Sequence, residues 1–430
     1  MIRSTSSALA ESAAPGFRTS VPAPGSSGPQ EVFTPSRAEA NSRSREVVRA
    51  GMLAALSFAG VVGLVGCDAP APDPQQVLDI TGGDTGTGVA LNDQGDFVMS
   101  GWRGTVSGRL EEGRARWDWV RGAEGRVLDL TGGDTGTGVA LNERDQFIAS
   151  GWRGTVAGRV GADGQVTWDW IRGADGQVLD LTGGDTGTGV SLNDHGQFVM
   201  SGWRGTVAGT LSEDGRVSWD WVRGADGKVL DITGGDTGTG VAVNNHGQFV
   251  ISGWRGTVHG QIGSERTTWN WVRGADGGAL DLTGGDTGTG VGLNDRGEFV
   301  ISGWRGTVAG RLGSDGASWD WVRDARGRVL DLTGGGTGTG VSLNEQGEFV
   351  ISGWGGTVAG RLQPGRGPSL APVNGADGRI LDVTGGDTAT GVALNNEGQF
   401  VISGWRGTVQ GRVDEDGTVH WDWVRQRDQR

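Results

Sequence analysis

The chain of 430 residues has one cysteine, no tyrosine and only 11 prolines. A single cysteine excludes a disulfide framework and any zinc site closed by several thiolates, so the fold is held by burial alone. Basic side chains are also in deficit, 37 Lys and Arg against 51 Asp and Glu, for a net charge of −14. That balance argues against nucleic acid or an anionic bilayer surface as partners, because both would be repelled. Of the four histidines only His195 and His246 share a repeat position, in a turn. With no clustered His, no Cys pair and no Ser-His-Asp arrangement, the sequence offers no catalytic constellation, and no cofactor or metal is expected.

Glycine and tryptophan are abundant, at 86 and 19 residues. Glycine at this level without period would signal disorder, but here it recurs at fixed offsets beside Trp, Phe, Val and Leu. The stretch "GQFVISGWRGTV" at residues 247–258 recurs, with few changes, in seven copies. With "VLDLTGG" as phase marker, repeats begin at Val77, Val127, Val178, Val229, Ala279, Val329 and Ile380, 50 or 51 residues apart. A period near fifty belongs to propellers or solenoids.

No segment of the array shows helical spacing, and each repeat reads as four strands separated by turns: "GVALN", "QFVISGW", "TVAGRL" and "VTWDWV". The fold class expected is all-β, a seven-bladed propeller of four-stranded antiparallel blades over residues 77–430. The first and last repeats are as regular as the middle ones, with no capping repeat, which favours a closed ring over an open stack. Closure predicts that residues 77–81 lie beside residues 421–424, as "VLDL" follows "WDWV" between neighbours. That "VLDL" is a candidate for a short fifth strand.

Residues 1–49 are rich in Ser, Ala and Pro without hydrophobic period. Arg49 then precedes an apolar run of signal-peptide length that ends at Leu64, Val65, Gly66 and Cys67. This resembles a bacterial lipobox, which implies lipidation of Cys67, a mature chain starting there, and membrane attachment outside the cytoplasm in the cell envelope. Removing residues 1–66 takes six Arg and four Glu away, leaving 31 basic and 47 acidic side chains, a net of −16. Residues 67–76 read as a Pro-rich tether.

Within the array, "GTVAGRVGADGQVTWDW" at residues 154–170 resembles the repeat of quinoprotein-like propellers, where a turn glycine followed by Gly-x-x-x-Trp places a Trp against the next blade. The spacing is met at Gly113/Trp117, Gly164/Trp168, Gly215/Trp219 and Gly417/Trp421, and is one residue short at Gly316/Trp319. The same arrangement occurs in WD40-like blades. The resemblance implies the propeller fold. The quinone enzymes' vicinal cysteines and acidic metal set are absent, and seven repeats stand where eight are common, so the cofactor is not implied.

The two Trp of "WDWV" lie two residues apart on one strand face and read as blade packing. The "NDQG" and "NNHG" turns lack the alternating carboxylates of a calcium loop and read as tight turns with left-handed Gly or Asn. "GGDTGTG" has neither the lysine nor the helix of a phosphate loop.

One pair of positions stands apart. The residue after Trp in "SGWRG" is Arg103, Arg153, Arg204, Arg255, Arg305 and Arg406, but Gly355 in the sixth repeat. The Asp of "GGDTG" is Asp84, Asp134, Asp185, Asp236, Asp286 and Asp387, but Gly336 in the sixth. Both charges vanish together. Counting outward along the first hairpin places Asp84 near Arg103, which predicts an ion pair in each blade on one face of the disc. The "SGW" residues Trp102, Trp152, Trp203, Trp254, Trp304 and Trp405 complete the candidate site.

Seven near-identical blades build any one-blade site six or seven times, whereas an enzyme centre is one asymmetric constellation. The sequence therefore points to a lipid-anchored, non-enzymatic binding module holding an unidentified protein or glycan on one face. A multivalent lectin and a purely architectural scaffold, like the outer-membrane assembly lipoprotein that it resembles in anchor and fold type, are the alternatives.

Overall fold

The computed structural model describes residues 77–81, 86–111, 114–132, 136–182, 187–234, 238–284, 288–333, 338–363, 365–375, 377–384 and 389–425. The signal region, Cys67 and the tether lie outside the described residues. Within them, 28 strands form seven sheets of four, every sheet a simple antiparallel meander. The fold is the expected all-β, seven-bladed propeller.

Blade one shows the pattern. Strands β1 (Gly88–Leu91), β2 (Asp96–Gly101), β3 (Gly104–Glu111) and β4 (Arg114–Trp119) pair with registers Gly88↔Ser100, Gly101↔Gly104 and Val106↔Trp119. The β1–β2 turn forms because Asn92 Oδ1 accepts from Asp96 N (2.8 Å) and Gly95 adopts φ 81°. In blade two Asp145 occupies that glycine's place at φ 60°, the one non-glycine residue with positive φ among the described residues. Asp tolerates this region better than most side chains because its short polar group bonds locally.

The second strands are buried, apart from a partly exposed leading residue in four blades, because neighbouring sheets cover both faces. Their phenylalanines, Phe97 through Phe400, are fully buried in all seven blades, each contributing about 1.5–3 kcal/mol of burial. The glycine opposite each ring is a packing requirement: a Cβ on Gly158 would lie 2.5 Å from Phe147 Cε1. The fourth strands alternate, with both "WDW" indoles half-buried and the intervening residue exposed. Trp168 and Trp170 meet edge to face at 5.7 Å, and Trp168 Nε1 donates to Arg121 O (3.4 Å) of the preceding blade's connector. These indoles thus take part in blade packing, as read.

The ring closes as phase predicted. Val77 bridges Arg425 as Arg121 bridges Val127 between blades one and two, and Leu78 N donates to Val424 O (2.7 Å). The "VLDL" segment does not add a fifth strand, however. It makes a single bridge, because Asp79 Oδ1 accepts from both the amide (2.9 Å) and the hydroxyl (2.6 Å) of Thr81 and turns the chain out of the ladder.

Each outermost strand leaves an unpaired edge. In five blades the "WDW" aspartate covers it: Asp118, Asp169, Asp220, Asp320 and Asp422 accept from the following Trp N–H at 2.7–2.8 Å. Blade six reaches the same end differently, since Pro372 stands in the Trp position and has no N–H to expose. That blade also carries a register shift between Arg361 and Gln363. Its core cluster holds seven buried residues, against ten to twelve in the other clusters.

Candidate functional site

The turn joining the second and third strands presents Trp and Arg. Seven indoles, Trp102, Trp152, Trp203, Trp254, Trp304, Trp354 and Trp405, are 42–51% exposed and are the exposed large hydrophobics among the described residues. The same turn of each blade in a closed ring faces the same side of the disc, so they encircle one face. Where the connector glycine is described it makes room for the indole: a Cβ on Gly132 would strike Trp152 Cδ1 at 2.4 Å.

Each arginine after the Trp forms an ion pair. The partner is the aspartate of "VLDLT": Arg103 with Asp79 (2.9 Å), Arg153 with Asp129 (3.0 Å), Arg204 with Asp180 (2.9 Å), Arg255 with Asp231 (3.1 Å), Arg305 with Asp281 (3.0 Å) and Arg406 with Asp382 (3.1 Å). Arg153 Nε also donates to Thr131 O (2.7 Å), and Arg204 Nε to Thr182 O (2.8 Å). These bonds tie the turn to its connector and leave the arginine side chain more than half exposed. The "GGDTG" aspartates Asp84, Asp134, Asp185, Asp236, Asp286 and Asp387 lie outside the described residues.

Joint loss in the sixth repeat marks the aspartate of "GGDTG", whereas that of "VLDLT" persists there as Asp331. The signal that finds it is its presence two residues before Thr in all seven repeats. Without a guanidinium, Asp331 keeps its bonds to Thr333 but becomes exposed, where its six counterparts are half-buried.

A cleft of about 500 Å³ opens beside the pair in blade two. It is lined by Trp168 and Trp170, by the connector turn from Gly122 to Arg126, and by Leu128, Asp129 and Arg153.

The first strands' leading ends line the channel on the tryptophan face with glycine: a Cβ on Gly136 would lie 3.6 Å from Gly86 Cα and 3.7 Å from Gly187 Cα. The opposite face carries a closed belt, which turn-reading alone missed. Asp93 N donates to Glu143, Glu143 N to Asp194, Asp194 N to Asn245, Asn245 N to Asp295, Asp295 N to Glu345, Glu345 N to Asn396, and Asn396 N to Asp93. The second turn residue is Asp, Glu or Asn in every repeat, and that was its legible signal. Burial first, then the neighbouring charges of Asp93 and Asp194, push Glu143 up to about 7 against the pull of the bond from Asp93 N. Burial raises Glu345 as well.

No family model and no curated protein matches this chain. Among solved structures it is similar to a catalytically inactive virginiamycin B lyase from Staphylococcus aureus with quinupristin, at 13% identity and a TM-score of 0.46, over 78% of this chain and 97% of that one. A streptogramin B lyase matches at 12% identity and a TM-score of 0.45, over 82% and 96%. Hsv2 of Kluyveromyces lactis matches at 10% identity and a TM-score of 0.44, over 82% and 98%. At such identities nothing about this chain's chemistry follows from them.

Proposed function

We propose that this propeller is a multivalent, non-enzymatic binding module, tethered through lipidated Cys67 in the bacterial envelope and engaging its ligand on the tryptophan face. The observation that carries the reading is the sixfold recurrence of an Arg–Asp pair beside a half-exposed indole, with a seventh indole in blade six. Identical sites facing one way convert weak single contacts into tight attachment to a repeating ligand. Near-identity of the blades weighs against catalysis, since no one blade holds a constellation the others lack.

The lipidation half of the reading rests on residues 64–67 and is tested by fractionation. Cys67→Ser should move the protein from the membrane fraction to the soluble one, and membrane retention of that variant would refute the anchor. The binding half is tested by retention of the protein on glycan arrays and on isolated envelope membranes, before and after Arg→Gly at all six arginines. Equal retention would refute the face as the site.

A further inference from the structure

Blade six shows which residues form one unit. It lacks the arginine (Gly355) and both "WDW" indoles, with Leu370 and Pro372 in register where Trp168 and Trp170 stand in blade two. It keeps the exposed Trp354, the Asp331–Thr333 turn, fully buried Phe349 and the Thr339 Oγ1 bond to Ser302 O at 2.8 Å. Loss of packing accounts for that blade's smaller core cluster and register shift, but not for loss of the arginine, whose counterparts pair at the surface. Besides the aspartates replaced by Gly336 and Ala371, the repeat loses its arginine and both "WDW" indoles, and in blade two those three side chains line a single cleft, Arg153 with Trp168 and Trp170. The blade still folds into four strands without them.

Resting on the binding reading above, we infer that the repeated site is this cleft between connector turn and outer strand, that six blades carry it while blade six is silent, and that its ligand is a neutral oligosaccharide.

The chemistry of the lining selects that class. Two half-buried indoles offer apolar, polarisable surface suited to the C–H faces of a sugar ring. Arg153 spends one N–H on Thr131 O and one on Asp129, and its other donors have no partner among the described residues. Asp129 neutralises its charge, and Glu124 stands 3.7 Å from the other lining cation, Arg126, so the cleft of blade two offers donors for hydroxyl and ring oxygens without the net positive field that an anion requires. The chain's net charge of −14 disfavours acidic polymers further.

The test is native mass spectrometry, supported by calorimetry, of the protein with cellohexaose, chitohexaose, xylohexaose and mannohexaose. Short fragments engage sites singly, so stoichiometry counts them. The expected result is six equivalents of the recognised hexamer. Arg153→Gly should reduce this to five with an unchanged thermal midpoint, and Trp170→Leu should do the same where it folds. Gly355→Arg together with Leu370→Trp and Pro372→Trp should add a seventh.

Seven equivalents insensitive to Arg153→Gly would place the site on the exposed indole ring and overturn the cleft. A single equivalent would assign binding to one asymmetric place, such as the cleft of about 380 Å³ beside Arg361 and Leu370 between blades six and seven. Binding of a sulfated or uronic hexamer in preference to all four probes would overturn the neutral class. Failure of every sugar, with arginine-dependent retention on envelope membranes intact, would overturn the carbohydrate ligand while leaving the binding module standing.

Discussion

Thr87 Oγ1 donates to Ser403 O at 2.9 Å, joining residues 316 positions apart. The same bond runs between every pair of neighbouring blades, from Thr137 to Ser100 through Thr390 to Ser352. The closing seam is therefore built like the six internal ones, with only the covalent link missing. Thr87→Val should cost about 1–3 kcal/mol, the penalty for leaving a buried carbonyl unsatisfied, and Thr188→Val should cost a similar amount. Urea unfolding midpoints check this, and a negligible effect at Thr87 alone would mean the ring is open at that seam.

Leu78 and Ile80 are buried in the cluster that joins blade seven to blade one, whereas Leu330 of blade six is only partly buried. Leu78→Ala should lower stability by about 2–5 kcal/mol, and Leu330→Ala by distinctly less. Equal losses would show that blade six is as well packed as the rest.

The "WDW" aspartates predict a change in association with little change in stability. Replacing Asp118, Asp169, Asp220, Asp320 and Asp422 by Ala uncovers five edge N–H groups. Light scattering should then report concentration-dependent association at an almost unchanged thermal midpoint. A variant that stays monomeric would assign those aspartates another role.

Glu143 predicts the pH dependence. Its pKa in the fold, about 7, lies above the ordinary carboxyl value, so the native state binds a proton more tightly than the unfolded chain does. Its contribution is fully favourable below about pH 4.5 and is lost as pH rises through 7. Glu143→Gln keeps an acceptor for Asp93 N and should lessen the decline in stability between pH 5 and 8, leaving the part that belongs to Glu345. An identical slope in both proteins would place the proton elsewhere.

Fold and closure were legible because a fifty-residue period and turn glycines repeat seven times, each copy confirming the phase of the last. The fifth strand was misread because "VLDL" has strand composition, and only the bonds between Asp79 and Thr81 reveal that the ladder stops. The arginines of the candidate site were legible through their single exception, Gly355. Their described partner, Asp129 and its counterparts, was hidden by the same logic, since a residue present in every repeat leaves no contrast to read. The belt through Glu143 and Asp194 depends on which blade lies beside which, information that one repeat does not contain.

The proposed multivalent attachment runs through the Arg–Asp sites. It is tested by dissociation rate from a surface bearing the recognised polysaccharide or envelope membrane, across variants with Arg→Gly in one, two, three and six blades. Each single exchange should cost about 1 kcal/mol of stability or less, as blade six tolerates Gly355, so every variant remains folded. Dissociation should accelerate by a similar factor with each blade altered, reaching complete loss of retention when all six are changed. Full loss on changing one blade, or unchanged dissociation with all six changed, would contradict multivalent attachment.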